Sequence, residues 1–259
     1  MNIAWKIVLG MATLAAWAPA GAVGRMVDLT VYDRTSQQPL PIYRHDGRYY
    51  VAGQPGHRYQ IQLRSREGGR TLGVLSVDGV NVLSGDNADW SQTGYVLDPF
   101  VATEIRGWRK SLSEVADFVF ADASRSYAAK TGRPDNIGVI GMAVFRARPL
   151  PMPMPVRPMV EEASGAAADQ MRQAPAASAP AAKALSAMGG PIGTGHGARE
   201  TSVVSYTDFE RASATPDDVV TLYYDTRERL IAQGVIPSTE RMPPPLPDPF
   251  PGHFVPDPR

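Results

Sequence analysis

Twenty-four of the 259 residues are proline, and their placement constrains this chain more than any motif in it. That is roughly twice the usual share of about 5%. Pro149, Pro151, Pro153, Pro155 and Pro158 crowd one stretch, and a second cluster fills residues 243–258. Proline fixes φ and lacks an N–H, so neither stretch can enter a helix interior or a central strand. The first cluster runs into an Ala-, Gly- and Ser-rich segment with little to bury. The sequence therefore predicts a disordered Pro/Ala/Gly-rich linker over residues 149–197 and a Pro-rich tail over 238–259. Folded structure is expected in two parts, 26–148 and 198–237.

Residues 1–22 read as a secretory signal peptide. They carry one charge, Lys6, then an apolar run from residue 7 to 17, then Ala20-Gly21-Ala22. The run is too short for the roughly 20 residues a membrane-spanning helix needs, and the small residues fit a cleavage site that would leave Val23 near the mature start. The expectation is a periplasmic or secreted protein with no transmembrane segment after cleavage. The whole chain has 26 basic and 26 acidic residues and no cysteine. That balance excludes a chain-wide basic footprint for nucleic acid, and the missing cysteines exclude disulfides, thiolate metal sites and cysteine nucleophiles.

Between residues 26 and 148, apolar and polar residues alternate with period two, and turn signals recur at short intervals. Tyr59, Ile61 and Leu63 form one apolar face. Residues 72–77 and 137–145 are apolar on both faces, as in buried central strands. Shorter strands are expected at 28–32, 48–52, 80–83, 94–97 and 103–107, with turns such as Asp78-Gly79 and Asp98-Pro99 between them. Residues 111–114 read as a turn leading into a strand through Phe118 and Phe120, and 124–130 as one or two helical turns that stop at Gly132. The fold class is all-β with minor α, an antiparallel β-sandwich. Beyond the linker, residues 203–209 and 219–224 read as a β-hairpin, and Asp225 as the cap of a short helix ending at Gly234. Such a unit buries too little surface to stand alone. It is expected to dock on an edge of the first domain, with Phe209, Val220, Leu222 and Leu230 buried.

Candidate chemistry is sparse. The four histidines, His45, His57, His196 and His253, fall in predicted turns, linker and tail without a nucleophile elbow or metal-binding spacing. The glycine-rich run 189–197 places His196-Gly197 where a phosphate loop needs Lys and Ser or Thr. Asp86, Asn87 and Asp89 gather oxygen ligands in one turn, a candidate site for a hard cation such as calcium, although Asx residues also stabilise plain turns. Trp90, Tyr95 and Trp108, at predicted turns and strand ends, are the candidate ligand-binding aromatics, because an exposed ring can stack on a sugar. No cofactor is implied. The expected function is a non-catalytic binding or scaffolding module of the cell envelope, with an envelope protein or glycan as partner. The alternative is a hydrolase of envelope glycan acting through the clustered carboxylates Asp78, Asp86, Asp89 and Asp98, which needs two of them about 5–9.5 Å apart.

Several runs in both ordered parts resemble a family of uncharacterised exported proteobacterial proteins. They are Val77-Asp78-Gly79-Val80-Asn81-Val82, Gly94-Tyr95-Val96-Leu97-Asp98-Pro99, Gly107-Trp108-Arg109-Lys110-Ser111, Ser126-Tyr127-Ala128-Ala129 and Gly138-Val139-Ile140-Gly141. Thr194-Gly195-His196-Gly197 and Phe209-Glu210-Arg211-Ala212 join them. The resemblance skips the linker; it supports the architecture and implies no activity.

Overall fold

The structure, a computed structural model, describes residues 21–149 and 190–238. The predicted signal segment up to residue 20, most of the predicted linker and the predicted tail from residue 239 lie outside the described residues. Along the chain come β1 (Val27–Asp33), β2 (Gln38–Pro39), β3 (Ile42–His45), β4 (Arg48–Gly53), β5 (Arg58–Ser65), β6 (Thr71–Val77) and β7 (Val80–Asn81). They are followed by β8 (Tyr95–Leu97), β9 (Ala102–Ile105), β10 (Gly107–Arg109), β11 (Glu114–Asp122), the one-turn helix α1 (Tyr127–Lys130) and β12 (Val139–Arg146). After the proline-rich stretch come β13 (Ile192–Thr201), β14 (Asp218–Thr226) and α2 (Arg227–Ala232). No helix among the described residues is long and apolar enough to cross a membrane.

The strands form two facing sheets, as the alternating pattern predicts. The first runs β13-β11-β5-β1-β2, with β9 on β5 and β10 on β11 filling the gap between those two. The second runs β3-β4-β14-β12-β6, with β7 and β8 both on β6. Alternation explains the packing: β1 buries Val27, Leu29 and Val31, β5 buries Tyr59, Ile61 and Leu63, and from the opposite sheet Ile140, Met142, Val144, Val220, Leu222 and Tyr224 complete the core. An aromatic stack runs through it, with Tyr59 4.2 Å from Phe120 and 5.3 Å from Phe118 between ring centroids.

The second sheet is covered outside as well, which is why β6 and β12 are apolar on both faces. Leu72, Val74, Ala143 and Phe145 pack against Val96 and Phe209, and the Arg211 guanidinium lies 4.2 Å above the Phe145 ring. Leu230 of α2, with Val235 and Ile236, covers Tyr43, Tyr50 and Ala52.

The C-terminal part is where the structure departs from the sequence reading. Val220, Leu222 and Leu230 are buried and Phe209 packs on the outer cluster, so docking holds. The hairpin does not. β14 is not an edge addition: it lies between β12, antiparallel, and β4, parallel. Its expected partner, residues 203–209, forms no strand: the last strand pair on β11 is Glu114 with Thr201, and Val203 and Tyr206 are exposed. The strand lies earlier, at Ile192–Thr201, inside the predicted linker, and in the opposite sheet from β14.

Candidate functional site

A concavity opens where β14 ends and α2 begins. It is a cavity of about 170 Å³ lined by Tyr50, Ile137, Gly138, Pro191, Ile192, Tyr223, Tyr224, Asp225, Leu230 and Gln233. Each wall has a local cause. The parallel register of β14 with β4 sets Tyr223 beside Tyr50, their ring centroids 5.6 Å apart and tilted by 32°. The Arg48 guanidinium stands 5.7 Å from the Tyr223 ring centroid. Asp225 closes the rim with both oxygens in use: Oδ1 accepts from the Thr226 N–H at 2.8 Å and Oδ2 from Arg229 Nε at 2.7 Å. Gly138 takes φ +90°, a left-handed conformation that favours glycine, just before β12.

Directly behind this wall is a buried polar chain that joins both parts of the sequence. Asp78 and Gly79, both with positive φ, make the tight β6–β7 turn, and the Asp78 side chain points inward, 1% exposed. Its carboxylate accepts from the Gly138 N–H at 2.9 Å, the Thr194 N–H at 2.7 Å and the Tyr224 hydroxyl. Since Tyr224 gives its proton to Asp78, Thr194 Oγ1 donates to Tyr224 at 2.7 Å and Tyr59 donates to Thr194 at 2.6 Å. Burial raises the Asp78 carboxyl above the usual range despite these bonds. Burial and the nearby Asp78 charge push both tyrosine hydroxyls well up. The arrangement locks strands together; it holds no solvent-facing acid or base.

The aromatic residues singled out from the sequence do not share a surface. Trp108 is 2% exposed: its ring meets Phe118 edge-on at 5.2 Å, and its Nε1 donates to the Gly195 carbonyl at 3.3 Å. It is a core residue, because β10 faces it into the sandwich. Tyr95 on β8 is packed against the core with its hydroxyl inside, and burial raises its pKa. Trp90 alone is open, 54% exposed, with its backbone carbonyl accepting from Arg211 at 2.7 Å.

The cation candidate is a turn. Asp89 Oδ1 accepts from the Ser91 N–H and hydroxyl, the Asp86 carbonyl accepts from the Asn81 N–H at 2.9 Å, and the Asn87 carbonyl accepts from Gln92 at 2.9 Å. Among the described residues no three His, Cys, Asp or Glu side chains gather as metal ligands.

Of the four acids grouped from the sequence, Asp78 and Asp98 are held far apart. Leu97 pairs with Thr71, so Asp98 lies at the opposite end of β6 from Asp78. Seven residues of strand separate them, about 23 Å at 3.3 Å per residue. Asp86 and Asp89 sit on the exposed loop while Asp78 faces the core.

The sequence reading missed Tyr223 and Asp225 as wall residues. The doublet Tyr223-Tyr224 carried the available signal, since alternation must send one ring inward and the other out. No protein-family model, no curated protein and no solved structure matches this chain.

Proposed function

We propose that this chain is an exported, non-catalytic binding module of the cell envelope, and that its ligand is a glycan seated by one ring in the Tyr50–Tyr223 cavity. The observation that carries the reading is the pair of tilted tyrosine rings that line a concavity together with the apolar Ile137, Ile192 and Leu230. Aromatic faces bind the apolar face of a pyranose, and the polar lining residues Asp225 and Gln233 suit its hydroxyls. At about 170 Å³ the cavity is below the roughly 300–1,000 Å³ of pockets that enclose a whole drug-sized ligand, so one ring or chain end is the fitting size. Its only carboxylate, Asp225, already accepts from Arg229 and from the Thr226 N–H, which suits recognition better than acid–base chemistry. A glycan array with the full chain and with Tyr223→Ala is the test. Binding to an envelope glycan that is lost in Tyr223→Ala, with melting unchanged, supports the proposal; no glycan bound, or equal binding by the variant, overturns it.

A further inference from the structure

The strands that border the two sheets differ sharply in how they are guarded. β2 has two residues and ends in Pro39, β3 has four and follows Pro41, and β7 and β8 have two and three, with Pro99 soon after. Short edges and prolines are the ordinary protection against pairing with another chain. β13 has neither. It is ten residues long, pairs on one side with β11, and has no strand on its other side among the described residues. From residue 192 to 215 a proline-rich chain has no proline and no lysine.

The first part of this edge, Ile192 to Gly195, is buried, but from His196 onward the strand is largely open. The Ser202 and Val204 N–H groups donate to the Ser113 and Leu112 carbonyls at 2.8 Å each, so the ladder continues past the end of β13. Alternation then turns the N–H and C=O groups of Arg199, Thr201 and Val203 to the open side. Large apolar side chains flank this row: Val203 is 78% exposed and Tyr206 87%.

We propose that the chain pairs with a second copy of itself along this edge, antiparallel, with Thr201 on the two-fold axis. Outward-pointing residues must face one another in an antiparallel ladder, which limits the registers. An axis at Arg199 sets arginine against arginine, and the next register sets Glu200 against Glu200; like charges directly opposite repel. An axis at Thr201 sets threonine against threonine, Arg199 against Val203 and Glu200 against Ser202. An axis at Ser202 or at Val203 would set Arg199 against Ser205 or Thr207, past Val204, where no ladder holds the backbone. Self-complementarity about one axis is what an isologous dimer requires. This inference is independent of the cavity and its ligand.

The chain has no cysteine, so a single introduced thiol reports only on contact between copies. Directly opposed Cα atoms in a hydrogen-bonded antiparallel pair lie about 5.5 Å apart, within disulfide range. Thr201→Cys should therefore form a disulfide-linked dimer under mild oxidation. Val219→Cys, 57% exposed on the other sheet, should stay monomeric under the same conditions. Sedimentation of the full chain should show a mass that doubles with rising concentration, and Val203→Pro, which removes one outward N–H, should return it to monomer. If Val203→Pro also lowers the melting temperature, the comparison of the two cysteine variants decides. A full chain that stays monomeric at every concentration, or equal cross-linking at positions 201 and 219, overturns the proposal. So does a monomer that instead takes an extended peptide along the edge.

Discussion

β14 and β13 enter the fold after the same interruption in the sequence, yet they are held by opposite means. β14 lies between β4 and β12 and sends Val220, Leu222 and Tyr224 into the core. Both its edges are satisfied and its side chains carry the packing. β13 lies at a sheet border, and past Ile192 it offers the core glycines and a threonine, held by its ladder on β11. A central strand is specified by what its side chains bury. A border strand is specified by how closely its backbone can approach what lies over it.

The strongest way to break this comparison is to remove β14. A chain truncated after Gly197 loses the strand between β4 and β12 and strips Val51, Ile140 and Met142 of a neighbouring strand's cover. The expected outcome is loss of the cooperative thermal transition, because the second sheet would be split in two. A truncated chain that melts like the intact one would show that β14 is an accessory and that the first part folds alone.

Asp78 sharpens the comparison, since its carboxylate bonds Thr194 of β13 and Tyr224 of β14 at once. Asp78→Ala leaves the buried Thr194 N–H, the half-buried Gly138 N–H and the Tyr224 hydroxyl without their acceptor, and should cost about 2–3 kcal/mol in chemical denaturation. The pH dependence has a definite sign. Burial raises the folded-state pKa of Asp78, so the native state holds this proton more tightly than the unfolded chain. Its favourable contribution is complete below the ordinary aspartate pKa and is lost as pH rises through the folded value. Asp78→Asn should abolish that loss, so the stability of the wild type relative to Asp78→Asn falls across this window. A difference that does not vary with pH would show that Asp78 ionises normally and that the polar chain is solvated. The opposite slope comes from Glu200, which the hydrogen bond and charge of Arg34 hold down at about 2. It cancels in the comparison, because both proteins carry it.

The same contrast explains what was legible in the sequence. The sandwich, the doubly buried β6 and β12, the Asp78-Gly79 turn and the buried set Val220, Leu222 and Leu230 follow from periodicity and turn chemistry, which are local. β13 was not legible. Gly193, Gly195 and Gly197 read as flexibility, whereas the structure uses Gly193 and Gly197 for close approach: a Cβ on Gly193 would come within 2.7 Å of Ser126 Cβ, and one on Gly197 within 2.8 Å of Asp117 Cβ. Those neighbours come from distant parts of the chain. Trp108 was misplaced for a similar reason, because a short strand of three residues carries too little pattern to tell its inner face from its outer. The cavity required the parallel pairing of β14 with β4, which no local signal announces.

The glycines of β13 also supply a graded test. Gly197→Ala puts a methyl against Asp117 and Val119 at 2.8 Å and should destabilise by about 1–3 kcal/mol, the usual cost of overpacking. Gly195→Ala meets its nearest neighbour, Ala121 Cβ, at 3.4 Å, an ordinary contact, and should be close to neutral in the same melts. Equal effects at the two positions would mean that β13 is held by its ladder alone and that close approach is incidental.

The smallest effect is expected at the junction of β14 with α2. The sequence pattern suggested Asp225 as the cap, but the structure gives that role to Thr226, whose Oγ1 accepts from the Arg229 N–H at 3.3 Å. Asp225 is turned aside by its bond to Arg229 Nε and forms part of the cavity rim. Thr226→Ala should therefore cost about 1 kcal/mol, the usual value of a lost N-cap. Most of the anchoring of α2 should survive it, because Leu230 and the following Val235 and Ile236 remain packed on Tyr43 and Tyr50. Replacing Asp225 by Asn keeps an acceptor for the Thr226 N–H but removes the charge facing Arg229, so it should affect ligand binding at the rim more than melting. If Thr226→Ala leaves stability unchanged while Asp225→Asn lowers it by the same 1 kcal/mol or so, the cap lies at Asp225 after all. The reading of β14 as a strand that ends by handing its last side chains to a helix cap and a cavity wall would then have to be redrawn.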